Sequence, residues 1–270
     1  MEISYLNIIT FLLTTFFYYF ALKPILPYTL YKNNDTYNSY ITSNYIYLAI
    51  YVFLTILIQF MVNSYIITSN CGGTITENMG KAGMITFLPW ILIFGVLVLV
   101  LNIYPGFNSA FSDIVGYYYV SNSTYKVLTE LLMNKDIVDK LIKDTPDITP
   151  DKNKALRSAS DVIDRICGNT CILINQMAPS NFGQYWDILR PLMKKKYQTV
   201  SPETDIIQNE LFELIVTKDN IGEAMWYIYT GLILTLIVQF KITNRGCSRK
   251  PKTTGQNLFL EKNKKLKNKL

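Results

Sequence analysis

The chain has 270 residues, half of them hydrophobic, a formal net charge of +6 and no histidine. This composition is too apolar for an ordinary soluble domain and indicates a membrane protein. The lack of histidine removes most general-base, proton-relay and zinc-water schemes, so we expect neither an enzyme nor a bound metal or cofactor.

Four apolar segments are long enough to cross a bilayer, which takes about 20 such residues. They cover residues 3–22, 41–62, 84–104 and 224–240, and none contains a charged residue. A cleaved signal peptide is the alternative for the first segment, but the segment lacks a basic start and a small-residue cleavage site. The predicted fold is mainly α: a polytopic membrane protein with about four transmembrane helices and a small helical domain between the third and fourth.

These segments divide the chain into five parts. The predicted parts are three N-terminal transmembrane helices with their loops (1–104), an interfacial aromatic hinge (105–120), a water-facing helical domain (121–222), the fourth transmembrane helix (223–241) and a basic tail (242–270). Within the domain, apolar spacing and cap residues predict helices over about 124–143, 153–166, 182–193 and 205–216. The domain is close to neutral, which argues against nucleic-acid binding.

The basic tail sets the predicted topology, because basic residues beside a span stay cytoplasmic. We therefore expect the N-terminus and the 63–83 loop in the cytoplasm, and residues 23–40 and 105–222 on the opposite side. The tail either only sets orientation, binds anionic lipid, or contacts a protein or DNA partner. Its relevant basic residues are Lys241, Arg245, Arg249, Lys250, Lys252, Lys264 and Lys265.

Two kinds of covalent modification are compatible with the non-cytoplasmic side. Asn34 and Asn122 each begin an Asn-x-Thr acceptor sequence for glycosylation. Cys167 and Cys171 form the one close cysteine pair and are either a disulfide or two reduced, buried thiols.

Polar side chains inside the apolar segments are few. They are Asn7, Gln59, Asn102 and Gln239, and we interpret them as contacts between helices rather than as a substrate path.

The stretch after the third segment stays aromatic where a linker would be polar. Tyr104 ends the segment at the interface, and Pro105 and Gly106 then turn the chain. Helical spacing of the next apolar residues predicts either an interfacial helix along the membrane or the floor of the domain. Both alternatives predict that Phe107 and Phe111 are buried.

Three stretches of the chain are distinctive: SNCGG with ENMGKAG, PWILIFG followed by NIYPGFNSAFSDIVGY, and NQMAPSNFGQYWDILRPLM. Together they resemble a membrane-protein family of nucleocytoplasmic large DNA viruses. The resemblance covers residues 69–120 and 172–195, and its motifs contain no catalytic residue. It implies structural roles for Trp90, Pro105, Gly106, Phe107, Phe111, Gly116 and Tyr117. Together with Tyr104 and Tyr118, these residues form the predicted membrane interface and hinge.

The function implied by the resemblance is that of a virion protein, made at the host endoplasmic reticulum and held in the inner membrane. It would link that membrane to the capsid shell, or organise it during assembly, as part of a large assembly. Expected partners are the lipid bilayer and capsid or other minor capsid proteins. The candidate contacts are Phe182, Tyr185, Trp186 and Leu189.

The alternative is a four-span scaffold that clusters protein partners, as in tetraspanins. The chain departs from that family because its large loop lacks Cys-Cys-Gly and its inner loop is longer. A transporter or membrane enzyme comes third, since transporters normally carry ionisable residues within their spans.

Overall fold

A computed structural model describes residues 5–133, 140, 143 and 149–244. Within these residues the named elements are helical, and an isolated bridge joins Leu132 to Met193. The α-helices are α1 (Leu6–Phe17), α2 (Tyr28–Tyr31), α3 (Asn34–Cys71), α4 (Ile75–Pro89), α5 (Val96–Ile103), α6 (Ser109–Phe111), α7 (Tyr117–Leu131), α8 (Pro150–Gly168), α9 (Thr170–Ile174), α10 (Phe182–Leu189) and α11 (Pro202–Asn244).

Short π-helical and 3₁₀ turns extend or join these helices. The π-helical turns are Tyr18–Leu22 after α1, Trp90–Gly95 between α4 and α5, and Ser112–Gly116 between α6 and α7. The 3₁₀ turns are Pro105–Asn108, Pro179–Asn181, Arg190–Leu192 and Lys195–Tyr197.

Three helices are long and apolar enough to cross a membrane: α3, the joined α4–α5 (Ile75–Ile103), and α11. The mainly helical fold is therefore confirmed, and the three candidate spans are consistent with an integral membrane protein. The first apolar helix, Leu6–Leu22, is shorter, so the count of four spans stays a prediction. Its ends contact Gln239 and Glu223 through Asn7 and Lys23, so it runs beside the apolar part of α11.

The longest helix corrects the predicted boundary at residues 222 and 223. We expected a domain helix over 205–216 and a separate span over 224–240, whereas α11 is a single helix of 43 residues. At about 1.5 Å per residue it is about 64 Å long, twice the thickness of the bilayer core. The polar residues between the two apolar runs contain no proline, so nothing breaks the helix there. The Ser201 hydroxyl accepts from the Thr204 backbone N–H at its start.

The α3 helix also exceeds its predicted span. It has 38 residues against the expected 41–62, and the Asn33 side chain caps it by accepting from the Asp35 N–H. It ends at Cys71, where Gly72 adopts a φ of 70° that a side chain would disfavour. Both long helices therefore project beyond a bilayer core.

Two large apolar cores divide the molecule. The membrane core is mostly aromatic and contains Phe11, Tyr18, Tyr51, Trp90, Phe94 and Tyr227 among its members. The domain core gathers residues from α7 to α11 together with Leu26 and Tyr28 of the first loop. Because the Tyr31 ring lies 4.8 Å from that of Phe212, this loop is part of the domain, and residues 23–40 lie on the same side as 105–222. The predicted topology requires that placement.

Several domain predictions can be compared with these helices. The helix predicted over 153–166 is α8, which begins earlier because Pro150 suits the first helical turn. The helix predicted over 182–193 ends as an α-helix at Leu189 and continues as a 3₁₀ turn containing Pro191. The helix predicted over 124–143 is seen as α7 up to Leu131, and most of its remainder lies outside the described residues.

Candidate functional site

The segment that follows α5 does not lead away from the membrane helices but folds back along α11. The Asn108 amide donates to the Asp219 backbone oxygen at 3.0 Å and to its carboxylate at 2.8 Å. The Trp226 indole N–H donates to the Phe107 carbonyl oxygen at 3.1 Å. We call this contact between residues 105–116 and residues 216–227 of α11 the junction.

The predicted burial of the two phenylalanines is wrong for Phe107, whose residue surface is 51% exposed. Phe111 is partly buried, and its ring meets that of Trp226 edge-on at 4.9 Å. The turn itself does not depend on Gly106, since φ there is not positive and an added Cβ would meet open space. Phe111 thus packs against α11, while Ile114, Tyr118 and Tyr119 are exposed, and the choice between an interfacial helix and the floor of the domain stays a prediction.

Two glycines allow the close approach at the junction. A Cβ added at Gly116 would lie 2.3 Å from the Lys218 carbonyl oxygen. A Cβ added at Gly222 would lie 2.5 Å from the Ser112 Cβ. Ser112 and Gly116 are four residues apart, which is a small-residue spacing that lets helices approach closely. Any larger side chain has to push the two backbones apart.

Ion pairs surround this contact. The Lys218 ammonium lies 3.0 Å from the Asp113 carboxylate, and the Lys218 side chain is only 3% exposed. Lys23, at the end of the first apolar helix, forms a second pair with Glu223. The Tyr227 hydroxyl donates to the same Glu223 carboxylate at 2.7 Å. Three distant parts of the sequence therefore meet through charges that are largely removed from water.

A cavity of about 460 Å³ opens beside these pairs. Its charged lining residues are Lys23, Asp113, Lys218, Asp219 and Glu223. Three tyrosines, Tyr37, Tyr40 and Tyr45, also line it, together with the amides of Asn44, Asn108 and Asn175. The Oδ1 atoms of these three amides are buried and accept no hydrogen bond in the structure. The cavity thus combines carboxylates, amide oxygens and aromatic faces.

A second polar cluster lies inside the bundle of membrane helices. The Asn7 amide donates to Asn63 at 2.8 Å, and the Asn63 amide donates to the Thr86 hydroxyl at 2.8 Å. Asn7 also approaches Gln239 at 3.5 Å, and the Gln59 amide donates to the Asn7 backbone oxygen at 3.1 Å. These contacts connect α1, α3, α4 and α11, which agrees with the predicted role of Asn7, Gln59 and Gln239. The Asn102 amide instead donates within its own helix, to the Val98 carbonyl oxygen at 2.7 Å.

Other predicted site residues occupy different positions from those expected. Trp90 is fully buried in the membrane core, 5.5 Å from the Phe11 ring, and is not at an interface. Phe182, Trp186 and Leu189 are at most 3% exposed and belong to the domain core, so they cannot contact a partner. Their helix is amphipathic, and its apolar face packs inward.

The remaining aromatic positions differ in exposure. Tyr104 and Tyr118 are exposed, as side chains at an interface would be. The Tyr117 hydroxyl lies 2.8 Å from that of Thr170, a contact within the domain. Tyr185 is partly buried and packs against the domain core.

Cys167 and Cys171 are free thiols in the structure, and both are partly rather than fully buried. Burial raises the pKa of the Cys167 thiol, which disfavours its reactive thiolate. Cys71, in contrast, is disulfide-bonded. Disulfides persist in oxidising compartments, which conflicts with a cytoplasmic 63–83 loop, so the side assigned from the basic tail stays a prediction.

The modification and tail predictions stay untested. Asn34 and Asn122 are both exposed, although the Thr124 hydroxyl of the second sequon is buried and bonds to the Val120 carbonyl oxygen. Lys241 is exposed in the last turn of α11. The other tail residues, Arg245, Arg249, Lys250, Lys252, Lys264 and Lys265, lie outside the described residues.

Sequence reasoning missed the charged junction and the roles of Asn63 and Thr86. One signal was available, because Lys218, Asp219 and Glu223 place three charges just before an apolar run. Their partners Lys23 and Asp113 are more than a hundred residues away, and pairing at that separation cannot be deduced from one sequence. In the described part of the chain, no group of three potential ligands is placed to hold a metal ion.

Comparison with protein-family models, with curated proteins and with solved structures finds no match. The resemblance to a viral membrane-protein family therefore stays a prediction.

Proposed function

We propose that this chain is a structural membrane protein that fixes a water-facing helical domain rigidly to the bilayer. The observation that carries the proposal is α11, whose 43 residues run without a break from the domain core into the membrane core. A partner bound to the domain is then tied to the membrane through one stiff element. An enzyme would instead need groups that exchange protons or attack a substrate, and four of the charged residues at the junction are engaged in the ion pairs Lys23–Glu223 and Lys218–Asp113.

The junction adds to this stiffness. Contacts between Gly116 and Lys218 and between Gly222 and Ser112 leave no room for a hinge beside α11. The pairs Lys23–Glu223 and Lys218–Asp113 hold the two connecting segments on the same helix. Since a partly broken buried pair leaves an uncompensated charge, tilting the domain away from the helix is costly.

The specific role that we propose is the one implied by the viral resemblance: linking the inner membrane of a large icosahedral DNA virus to its capsid shell. A linker of this kind has to hold the capsid shell at a fixed position relative to the membrane. A stiff helix does so better than a flexible tether. The partner surface must then be formed by residues other than Phe182, Trp186 and Leu189. Exposed apolar residues of the domain are the better candidates: Ile172, Ile188, Val200 and Ile206.

Crosslinking mass spectrometry on intact particles or native membranes tests the role directly, because it names the neighbour of the domain. Particles would then be treated with a mild detergent that removes lipid. A linker stays with the protein shell and crosslinks to it through the domain. Release of the whole chain with the lipid, with crosslinks only between copies of itself, would instead support a scaffold within the bilayer.

A matched pair of variants separates docking from folding. Ile188→Asp places a charge on an exposed position of α10 and should reduce retention in the shell without changing membrane insertion. Asp187→Asn changes the neighbouring exposed position and should leave retention unchanged. Equal retention of both variants would remove α10 from the proposed docking surface.

A further inference from the structure

We propose that the cavity at the junction binds a primary ammonium group. Its volume of about 460 Å³ is many times that of one water molecule and lies in the range of small-ligand sites, about 300–1,000 Å³. The site does not depend on the proposed linker role, since it is defined by the lining alone.

The Oδ1 atom of Asn108 is a buried hydrogen-bond acceptor to which no group in the described part of the chain donates. Asn108 is only 6% exposed, and its Oδ1 has no hydrogen-bond partner. The orientation of the amide is fixed, because its nitrogen donates to the backbone oxygen and the carboxylate of Asp219, neither of which could donate in return. Asn108 is among the residues that line the cavity, and a buried unpaired acceptor such as its Oδ1 is costly.

Two further amide oxygens among the lining residues are also buried without a partner among the described residues. The Asn175 nitrogen donates to the Asp113 carbonyl oxygen at 3.1 Å, which leaves its Oδ1 unpaired. The Oδ1 of Asn44 is also buried without a partner. Three acceptors in one cavity call for a ligand with several N–H or O–H donors, and an ammonium group has three.

The charges of the residues that line the cavity favour a cation as the ligand. The lining contains two lysines and three carboxylates, and each lysine already forms an ion pair, with Glu223 or Asp113. Among the described residues Asp219 forms no ion pair, and its carboxylate is bonded only to the neutral Asn108 amide. One added positive charge balances the site, whereas an anion would be repelled.

The tyrosines favour an organic ammonium over a metal ion. Tyr37, Tyr40 and Tyr45 supply aromatic rings, which attract ammonium groups through their electron-rich faces. Calcium or magnesium needs six or more oxygen ligands, and two of the three carboxylates here are held by lysines. A quaternary ammonium cannot donate to the amide oxygens, so a primary ammonium fits best.

Two sources carry this group: the headgroup of phosphatidylethanolamine and a free amine such as ethanolamine or putrescine. The lining includes Leu101 and Asn102 at the end of α5, beside the exposed Tyr104, where lipid headgroups lie next to a span. The experiment has to distinguish these sources.

The full chain would be placed in nanodiscs of phosphatidylcholine with graded amounts of phosphatidylethanolamine, and retained lipid counted by native mass spectrometry. Selective retention of phosphatidylethanolamine identifies the headgroup. Thermal stabilisation by millimolar ethanolamine or putrescine in pure phosphatidylcholine, with choline inactive, identifies a free amine. Both results support the site. Equal retention of the two lipids together with no response to either amine would overturn the proposal, as would choline binding as tightly as ethanolamine.

Substitutions of lining residues test whether the ligand binds in the cavity. Asp219→Asn keeps the shape, removes the unbalanced charge and should weaken binding at least tenfold. Asn44→Leu should weaken it several-fold while leaving the melting temperature nearly unchanged, because no hydrogen bond to Asn44 Oδ1 is lost. Asn38→Leu, an exposed position on the same helix outside the cavity, should bind as the unmodified chain does. Binding that survives both cavity variants would place the ligand elsewhere.

Discussion

The two polar regions of the molecule are built from different chemistry. Inside the membrane helices, neutral amides and hydroxyls bond to one another, with Asn63 joining Asn7 and Thr86 at 2.8 Å each. At the junction, lysines and carboxylates form ion pairs, and Lys218 is 3% exposed. Neutral groups suit the membrane interior because an ion there is costly to desolvate. Charges are placed at the end of the spans, where they fix the domain to α11.

This difference predicts different penalties for removing one partner. Hydrogen bonds between membrane helices contribute about 0.6 kcal/mol on average, because the separated helices also find partners. A buried ion pair that loses one member costs about 3–5 kcal/mol, since the remaining charge has no partner. Substitutions at the junction should therefore outweigh those inside the membrane bundle.

Glu223→Gln is expected to have the largest effect. It leaves the Lys23 ammonium, whose side chain is 7% exposed, without its carboxylate and weakens the bond from Tyr227. We expect a loss of about 3 kcal/mol or more in the free energy of unfolding, measured by denaturant titration in detergent micelles. Arg190→Met breaks an exposed pair with Asp187 and should cost less than about 1 kcal/mol. Similar losses in the two variants would contradict a buried, structural Lys23–Glu223 pair.

Gly222→Ala should come next. Its added methyl would lie 2.5 Å from the Ser112 Cβ, so residues 112 and 222 must separate, at a cost of about 1–3 kcal/mol. Gly80→Ala is the matched control, because a Cβ there meets open space and alanine favours a helix by up to about 1 kcal/mol. Opposite signs of the two changes in melting temperature are expected. A neutral Gly222→Ala would mean that the junction is looser than the close contact requires.

Asn63→Leu tests the amide network and should cost about 1 kcal/mol, less than either junction variant. It removes the bonds to Asn7 and Thr86 from a side chain that is fully buried. Asn38→Leu, at an exposed position on the same helix, provides the control. Unfolding titrations that rank Asn63→Leu above Glu223→Gln would reverse the comparison of the two regions.

The smallest expected effect is a pH dependence of stability that arises at Glu130, outside both polar regions. Hydrogen bonds from Lys196 and Tyr197 lower the pKa of Glu130 from 4.5 to about 2. A carboxylate with a depressed folded-state pKa stabilises the fold above its ordinary pKa, and this stabilisation is lost as pH falls from about 4.5 towards 2. Since the side chain is half exposed, the loss should stay below about 1 kcal/mol. Melting curves of Glu130→Gln should lack this part of the acid dependence; curves that match the unmodified chain at every pH would contradict it.

Periodicity and composition account for much of the fold. The apolar runs locate α3, α4–α5 and the membrane part of α11, and Ser201 correctly indicates the start of α11, whereas α8 begins at Pro150 rather than at the predicted residue 153. The continuity of α11 was not predictable from this pattern, because the polar residues around Lys218 are as typical of a loop between two helices as of one continuous helix. They are polar because they face the junction and its cavity, not because the helix ends.

The candidate site shows a different limit. The apolar face of α10 has the same pattern whether it packs in a core or binds a partner, so Phe182 and Trp186 were misassigned. Trp90 was placed at an interface because tryptophan is common there, yet it packs against Phe11. The cavity depends on tertiary contacts such as Lys23 with Glu223, which no local pattern contains.

Amide hydrogen exchange along α11 in nanodiscs tests most directly whether the domain and the membrane helices form one stiff unit. Uniformly slow exchange from residue 207 through residue 238, including the polar stretch 217–223, is the expected result. Fast exchange confined to 217–223, with slow exchange on either side, would show a hinge at the junction and contradict the rigid link.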